Sequence, residues 1–206
     1  MTLAFEKFMR QYQATGSEKA DGYSRDAFIE LDDSEKEVVF KLLESELPFS
    51  IEWLFFLDVK RALAVAKEEE EKTRGNGYQH VYILQEQLVK HSGDLIYQKR
   101  MIEDYPGYVD SLKPLVIDAI GRTPANKAVV DFFKQIVLVE VNDSAVARAA
   151  RKLLMALKVP RSNEIEERNY LQLLSELRNN NIKIKMKAIA QIERYEKYKP
   201  TLSVNS

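Results

Sequence analysis

Twelve residues, Leu47 to Asp58, constrain the fold more than any others in the chain. They read Leu-Pro-Phe-Ser-Ile-Glu-Trp-Leu-Phe-Phe-Leu-Asp and hold the single Trp and three of the nine Phe. Pro48 ends any helix before it, because its ring has no N–H and clashes with the preceding turn. Ser50 can cap a new helix over Ile51 to Leu57, about two turns long. Apolar residues at 51, 53, 54, 55, 56 and 57 leave that helix no polar face, which predicts enclosure on nearly every side. Asp58 fits the N-cap of a longer helix from Val59 to about Lys72. An acid beside Trp53 and Phe56 could also be a catalytic carboxylate, but capping already accounts for an Asp at this position.

The rest of the chain carries helical spacing. Leu3, Phe5, Phe8, Met9 and Tyr12 place a first helix over about Thr2 to Gln13, and Thr15 to Gly22 has the composition of a loop. Ser24 can cap a short helix through Phe28 and Leu31. Asp33 then opens a helix whose buried stripe is Val38, Val39, Leu42, Leu43 and Leu47. Leu63, Val65 and Ala66 bury the helix from Val59. Gly75-Asn-Gly77 reads as a helix C-cap and turn, since no alternating strand flanks it for a hairpin. Val81, Leu84 and Leu88 carry the next helix as far as Ser92-Gly-Asp94, and Tyr105-Pro-Gly107 is a turn. Pro114 falls inside the pattern from Val109 to Ile120 and predicts a kink. Thr123, followed by Pro124, opens a helix through Phe133 and Val137, with Val137 to Val141 as its last turn rather than a strand. Asp143 caps the next, and another runs from Ser162 to an interruption at Asn179 to Asn181. Ile182-Lys-Ile-Lys-Met-Lys187 alternates with period two, yet no partner strand exists, so a last helix is expected there. Seven Gly and six Pro suit short connections. The expectation is an all-α chain of about ten to twelve helices, one domain over 1–200, and a disordered tail from Thr201 to Ser206.

Composition excludes several chemistries. With no Cys there is no disulfide, thiolate metal site or Cys nucleophile. His80 and His91 have no carboxylate at metal-ligand spacing, no Gly-rich phosphate loop occurs, and no Ser sits in a nucleophile elbow. The expectation is a non-enzyme without cofactor or metal. Charges interrupt every apolar run of the first ten residues, so no signal peptide is read there. Phe49 to Leu57 falls far short of the roughly 20 residues that span a bilayer, so no membrane segment is expected and a cytoplasmic location is the default.

The net charge of −1 hides an asymmetry. Residues 1–103 carry 20 acids against 14 bases, and residues 104–206 carry 12 against 17. Glu68, Glu69, Glu70 and Glu71 stand at a helix C-terminus, where they oppose the macrodipole, which favours a binding role. With Asp32 and Asp33 they are the candidate partner-binding residues. Asp32 and Asp33 are adjacent, so their side chains diverge on a helix and do not form a catalytic pair. Lys183, Lys185, Lys187, Arg194, Lys197 and Lys199, with Tyr195 and Tyr198, form a basic stretch. It reads as a solvated face or as a complement to the acidic half, with phosphate contact as the other use.

Asp143, Val146, Arg148, Ala149, Ala150, Leu153 and Leu157 follow the outline of the second helix of a HEAT repeat, and the pair Thr123 to Val159 resembles that family. The Arg stands one place later than in the family pattern, which leaves its packing role open. The resemblance implies antiparallel helix pairs stacked in an α-solenoid that offers a long surface to a protein partner. Over about residues 33–75 the chain also resembles the small helical immunity proteins of bacterial toxin systems. That implies a stoichiometric complex with a cognate toxin, and an acidic surface suits a nuclease toxin with a basic groove. Two alternatives are a HEAT-like scaffold or adaptor using the same surface, and a HEAT-like nucleic-acid-binding enzyme akin to helical-repeat DNA glycosylases. The latter needs a basic concave face, which the acidic first half argues against.

Overall fold

All regular structure among the described residues is helical: twelve α-helices and three short 3-10 turns, with no strand. The computed structural model describes residues 1–20, 22–76 and 79–195, Ala20 by its backbone alone. The expected tail from Thr201, the end of the basic stretch and Gly77 lie outside the described residues. The chain divides into two compact units, Met1–Ser92 and Gly93–Ser206.

The first unit contains α1 (Leu3–Gln13), α2 (Gly16–Ala20), a 3-10 turn (Arg25–Ala27), α3 (Asp33–Glu44), α4 (Ile51–Leu57), α5 (Val59–Thr73) and α6 (Val81–Ser92). The helix α2 stands where a loop was expected. Lys19 within it donates to the Tyr12 carbonyl at 3.0 Å and to Glu46 at 2.6 Å, which ties this turn down. The N-cap of α3 is Asp32, with Asp33 as the first helical residue. Asp32 accepts from the Glu35 N–H and the Glu35 carboxylate accepts from the Asp32 N–H, a reciprocal capping box. The same buried carboxylate takes the N–H and hydroxyl of Thr2, each at 2.7 Å, so it fixes the start of α1 against the start of α3. The buried stripe of α3 is Val39, Phe40 and Leu43, with Val38 turned outward.

The helix α4 is not enclosed as expected. Ile51, Leu54 and Phe55 are buried, and α3, α5 and α6 all pack against α4. Phe56 is 41% exposed, and Trp53 and Leu57 are half-buried. Seven residues make too short a rod to be surrounded by helices, and the outer side is covered only by rings from the preceding turn. Asp58 caps α5 as expected, accepting from the Arg61 N–H at 3.0 Å. The inner face of α5 is Ala62, Ala66 and Glu70, while Leu63 and Val65 are half-buried.

The second unit contains α7 (Ile96–Asp104), a 3-10 turn (Tyr105–Gly107), α8 (Lys113–Ile120), α9 (Lys127–Val139), α10 (Asp143–Ala156), α11 (Glu164–Leu177), α12 (Ile182–Ile192) and a 3-10 turn (Glu193–Tyr195). Pro114 lies in the first turn of α8, where a missing N–H removes no helical bond, so no kink follows. The cap of α9 is Asn126, not Thr123, and the cap of α10 is Asn142, not Asp143. Residues 182–192 form a helix, capped by Asn181. The helices α9 and α10 pack together with Val130, Phe133, Val137, Ala149 and Leu153 fully buried. Arg148 of α10 pairs with Asp118 of α8, and Lys152 reaches the same carboxylate at 3.4 Å.

Candidate functional site

The acidic run does not present four equal charges. Glu68 and Glu71 are exposed, Glu69 is half-buried and paired with Lys72 at 3.2 Å, and Glu70 is fully buried. Gln85 of α6 donates its amide to the Glu70 carboxylate at 2.9 Å, so Glu70 joins two helices from inside. Asp32 is occupied as a cap, and hydrogen bonds from Ser34 and the Glu35 N–H hold its carboxyl below the usual range. Asp33 is exposed and pairs with Lys36 at 3.1 Å. The exposed acids of this set are therefore Glu68, Glu71, Asp32 and Asp33, at two separate helix ends, with Asp32 among them engaged as a cap.

The basic stretch divides in the same way. Lys183 and Lys187 are exposed, whereas Lys185 is 8% exposed and donates to the Val137 carbonyl at 2.7 Å. An ammonium on a free carbonyl in the last turn of α9 is the arrangement that the helix dipole favours.

The more distinctive surface lies around Trp53. Its indole stacks on Phe28, with centroids 4.5 Å apart and planes 7° apart, and meets Tyr23 and Phe56 edge-on. Trp53 is the shared wall of two clefts. The first, about 500 Å³, is lined by Lys19, Tyr23, Glu46, Leu47, Phe49 and Trp53. Its polar groups compensate each other: the Glu46 carboxylate accepts from both Lys19 and the Tyr23 hydroxyl. Burial, followed by that carboxylate, pushes the Tyr23 hydroxyl far above the usual tyrosine range. Phe49 at its rim is 65% exposed.

The second cleft, about 470 Å³, lies between Arg25, Trp53, Phe56, Lys90 and His91, with Glu52 at its edge. His91 stacks on Phe55 at 3.8 Å with planes 5° apart. Burial, and then the neighbouring Lys90 charge, lower the His91 pKa, while Glu52 works the other way. Asp58, the one candidate catalytic acid near this segment, is engaged in capping α5. Sequence reading singled out the Trp53 segment but placed it in the core. The exposed Glu52 shows that one side of this helix tolerates water.

In the second unit a polar cluster centres on Glu140. It accepts from the Tyr105 hydroxyl at 3.0 Å and from the N–H groups of Val141 and Asn142, and it pairs with Lys113 at 3.3 Å. Burial alone would raise the Glu140 pKa, but the Asn142 N–H, the Tyr105 hydroxyl, the Val141 N–H and Lys113 outweigh it and hold it low. This cluster fastens the turn between α9 and α10, a structural task. Among the described residues, no group of three or more His, Asp and Glu side chains is placed to hold a metal ion, and no helix is long and apolar enough to cross a membrane.

Comparison with protein-family models, characterised proteins and solved structures returns no match. The functional reading therefore rests on the chemistry of these surfaces.

Proposed function

We propose that this chain is a protein-binding helical module, and in its sharper form an immunity protein that neutralises a cognate bacterial toxin by forming a stoichiometric complex in the cytoplasm. It acts by occupying its partner and carries out no reaction of its own. The observation that supports this reading is the aromatic surface around Trp53, where Phe49 and Phe56 stand in solvent beside two clefts. Aromatic anchors next to pockets are the side chains that dominate binding energy at protein interfaces. The exposed Glu68 and Glu71 provide steering toward a basic partner, an effect that decays over a Debye length of about 8 Å at physiological salt. The packing of chain neighbours, α5 on α6, α9 on α10 and α11 on α12, supports a HEAT-like pairing stacked as a solenoid.

The test is direct binding to the toxin encoded beside this chain's gene, with growth rescue as the functional readout. Phe49→Ser should weaken the complex by tenfold or more, the size of a lost interface anchor, with the circular dichroism spectrum unchanged. Changing Glu68 and Glu71 together to Gln should slow association several-fold at low salt and less at high salt. Undiminished binding by both variants would overturn the reading. Binding without rescue would leave a scaffold or adaptor in its place.

A further inference from the structure

Two clefts share Trp53, and their charges differ in kind. In the first cleft Lys19 and Glu46 neutralise each other at 2.6 Å. In the second, Arg25 and Lys90 outnumber the one lining carboxylate, Glu52, and neither makes an ion pair with it or with any other described carboxylate. That contrast stands out in a unit with 18 acids against 12 bases. Elsewhere in the same unit Lys7, Lys36, Arg61 and Lys72 reach a carboxylate while Arg10, Lys41, Lys60 and Lys67 do not, so what sets Arg25 and Lys90 apart is that both line one cleft beside aromatic rings. Leaving two cations unpaired beside exposed rings, in an acid-rich environment, is the pattern of a site that receives its counter-charge from outside.

We propose that the cleft between Arg25, Trp53, Phe56 and Lys90 is a recognition pocket for a peptide segment of the partner in which an Asp or Glu adjoins a bulky apolar residue. This rests on the protein-binding reading above and names the chemistry of one contact within it. The Arg25 guanidinium lies 5.4 Å from the centroid of the Phe56 ring. Stacked on a ring, a guanidinium keeps its N–H edge open, and that edge matches a carboxylate with two parallel hydrogen bonds. Lys90 adds a second positive charge on the same cleft. The floor is apolar and fixed: Phe55 is buried, His91 lies flat on it, and Trp53 is held on Phe28. Such a floor takes an aliphatic or aromatic side chain with little ordering cost. An isolated carboxylate would leave the rings unused, and a purely apolar segment would leave both cations facing it unpaired. A segment carrying both groups satisfies the whole cleft.

Trp53 is the only tryptophan and walls both clefts, so its fluorescence reports binding at either, and Arg25→Gln assigns a response to this one. The probe is a terminally blocked Gly-Phe-Asp-Leu-Gly peptide, with the Asn and Lys counterparts as controls. The Asp peptide should give a saturable fluorescence change below about 1 mM, a range within reach of a short peptide with one anchor and one charge pair. The Asn peptide should bind about tenfold more weakly, and Arg25→Gln should weaken the Asp peptide by a similar factor. Lys90→Gln should weaken it less, and raised salt should weaken it further. Both substitutions are at exposed positions, and circular dichroism confirms that the fold is retained. Equal binding of the Asp and Lys peptides, no effect of Arg25→Gln, or no saturable change at all would each overturn the assignment. If the peptide fails while Phe49→Ser still disrupts the toxin complex, the pocket assignment falls and the protein-binding reading stands. If Phe49→Ser also leaves that complex intact, both fall.

Discussion

The two units turn opposite charges inward and different apolar side chains outward. In the first unit the buried charged groups are Glu35 and Glu70, and in the second it is Lys185. Glu35 meets N–H groups at helix starts, and Lys185 meets a carbonyl at a helix end, so each serves the local dipole. Seven of the nine Phe and the single Trp fall in the first unit. Phe49 and Phe56 there are among its exposed side chains, whereas the exposed large apolar groups of the second unit are aliphatic, such as Val141, Met155 and Ile165. Scattered aliphatic exposure is ordinary for a protein surface. Exposed aromatic rings grouped beside clefts are not, and this difference is why the proposed recognition surface is placed in the first unit.

The largest expected effect tests whether Trp53 is surface or core. Phe133 is fully buried in the second unit, so Phe133→Ala should cost roughly 3–5 kcal/mol in urea unfolding. Trp53 is half-buried and keeps only part of that contact, so Trp53→Ala should cost less, about 2 kcal/mol. An equal or larger loss at Trp53 would return the ring to the core and remove the contrast between the units.

Next in size is the acidic run. Glu70→Ala removes the buried carboxylate that the Gln85 amide donates to and should cost about 1–3 kcal/mol, whereas Glu68→Ala and Glu71→Ala should each stay within about 0.5 kcal/mol. Equal effects of all three substitutions would show that the run behaves as one solvated face. The inward turn of Glu70 was legible in principle. Ala62, Ala66 and Glu70 are spaced four apart, so the face that buries the two Ala residues must also carry the Glu. A run of four identical residues conceals that periodicity when read as a block of charge.

What the sequence did not show has a common physical cause. Helix positions followed from apolar spacing and Asp33 opens α3 as expected, but two caps fell on another residue, Asn126 instead of Thr123 and Asn142 instead of Asp143. At α3 the Asp32 cap is reinforced by Glu35, its capping-box partner, which also holds Thr2. The Asn126 amide bonds Gln98, while the Thr123 hydroxyl is spent on the Ile120 carbonyl. The Asn142 amide reaches the Asp110 carbonyl at 2.8 Å. Local propensity ranks Asp, Asn, Ser and Thr almost equally as caps, so a tertiary bond decides between nearby candidates. The same holds for α4: its composition specified an apolar helix, but only the packed structure shows how many neighbours reach it.

Acid should affect the two units over different pH ranges. His91 has a folded pKa below its unfolded value of about 6.5, so the folded state prefers the neutral ring and loses stability as pH falls through about 6.5. Glu140 is also depressed, so its contribution is present above about pH 4.3 and is lost as pH falls further, through its folded pKa. Trp53 fluorescence should therefore shift before the second unit responds, and His91→Gln should remove that early phase. An unchanged acid profile in the His91→Gln variant would mean that the ring titrates as freely in the folded chain as in the unfolded one.

The smallest expected effect concerns how helices end. The helix α6 is followed by Gly93 at φ +72°, whereas α10 is followed by Lys158 at φ +54°. The Lys158 N–H donates to the Met155 carbonyl and the Val159 N–H to the Leu154 carbonyl, each at 3.0 Å. These are the paired bonds that close a helix through a left-handed residue. Gly occupies that conformation without a Cβ clash, while a Lys pays roughly 1 kcal/mol for it. Lys158→Gly should therefore stabilise the chain by about 0.5–1 kcal/mol, less than the full strain because Gly also gains freedom in the unfolded state. Lys158→Ala keeps the Cβ and should give no such gain. Val159 next to it is buried, so the turn must keep its shape for the gain to appear. A Gly variant no more stable than the Ala variant, by urea midpoint at constant slope, would show that α10 ends without strain and that both units close their helices at equal cost.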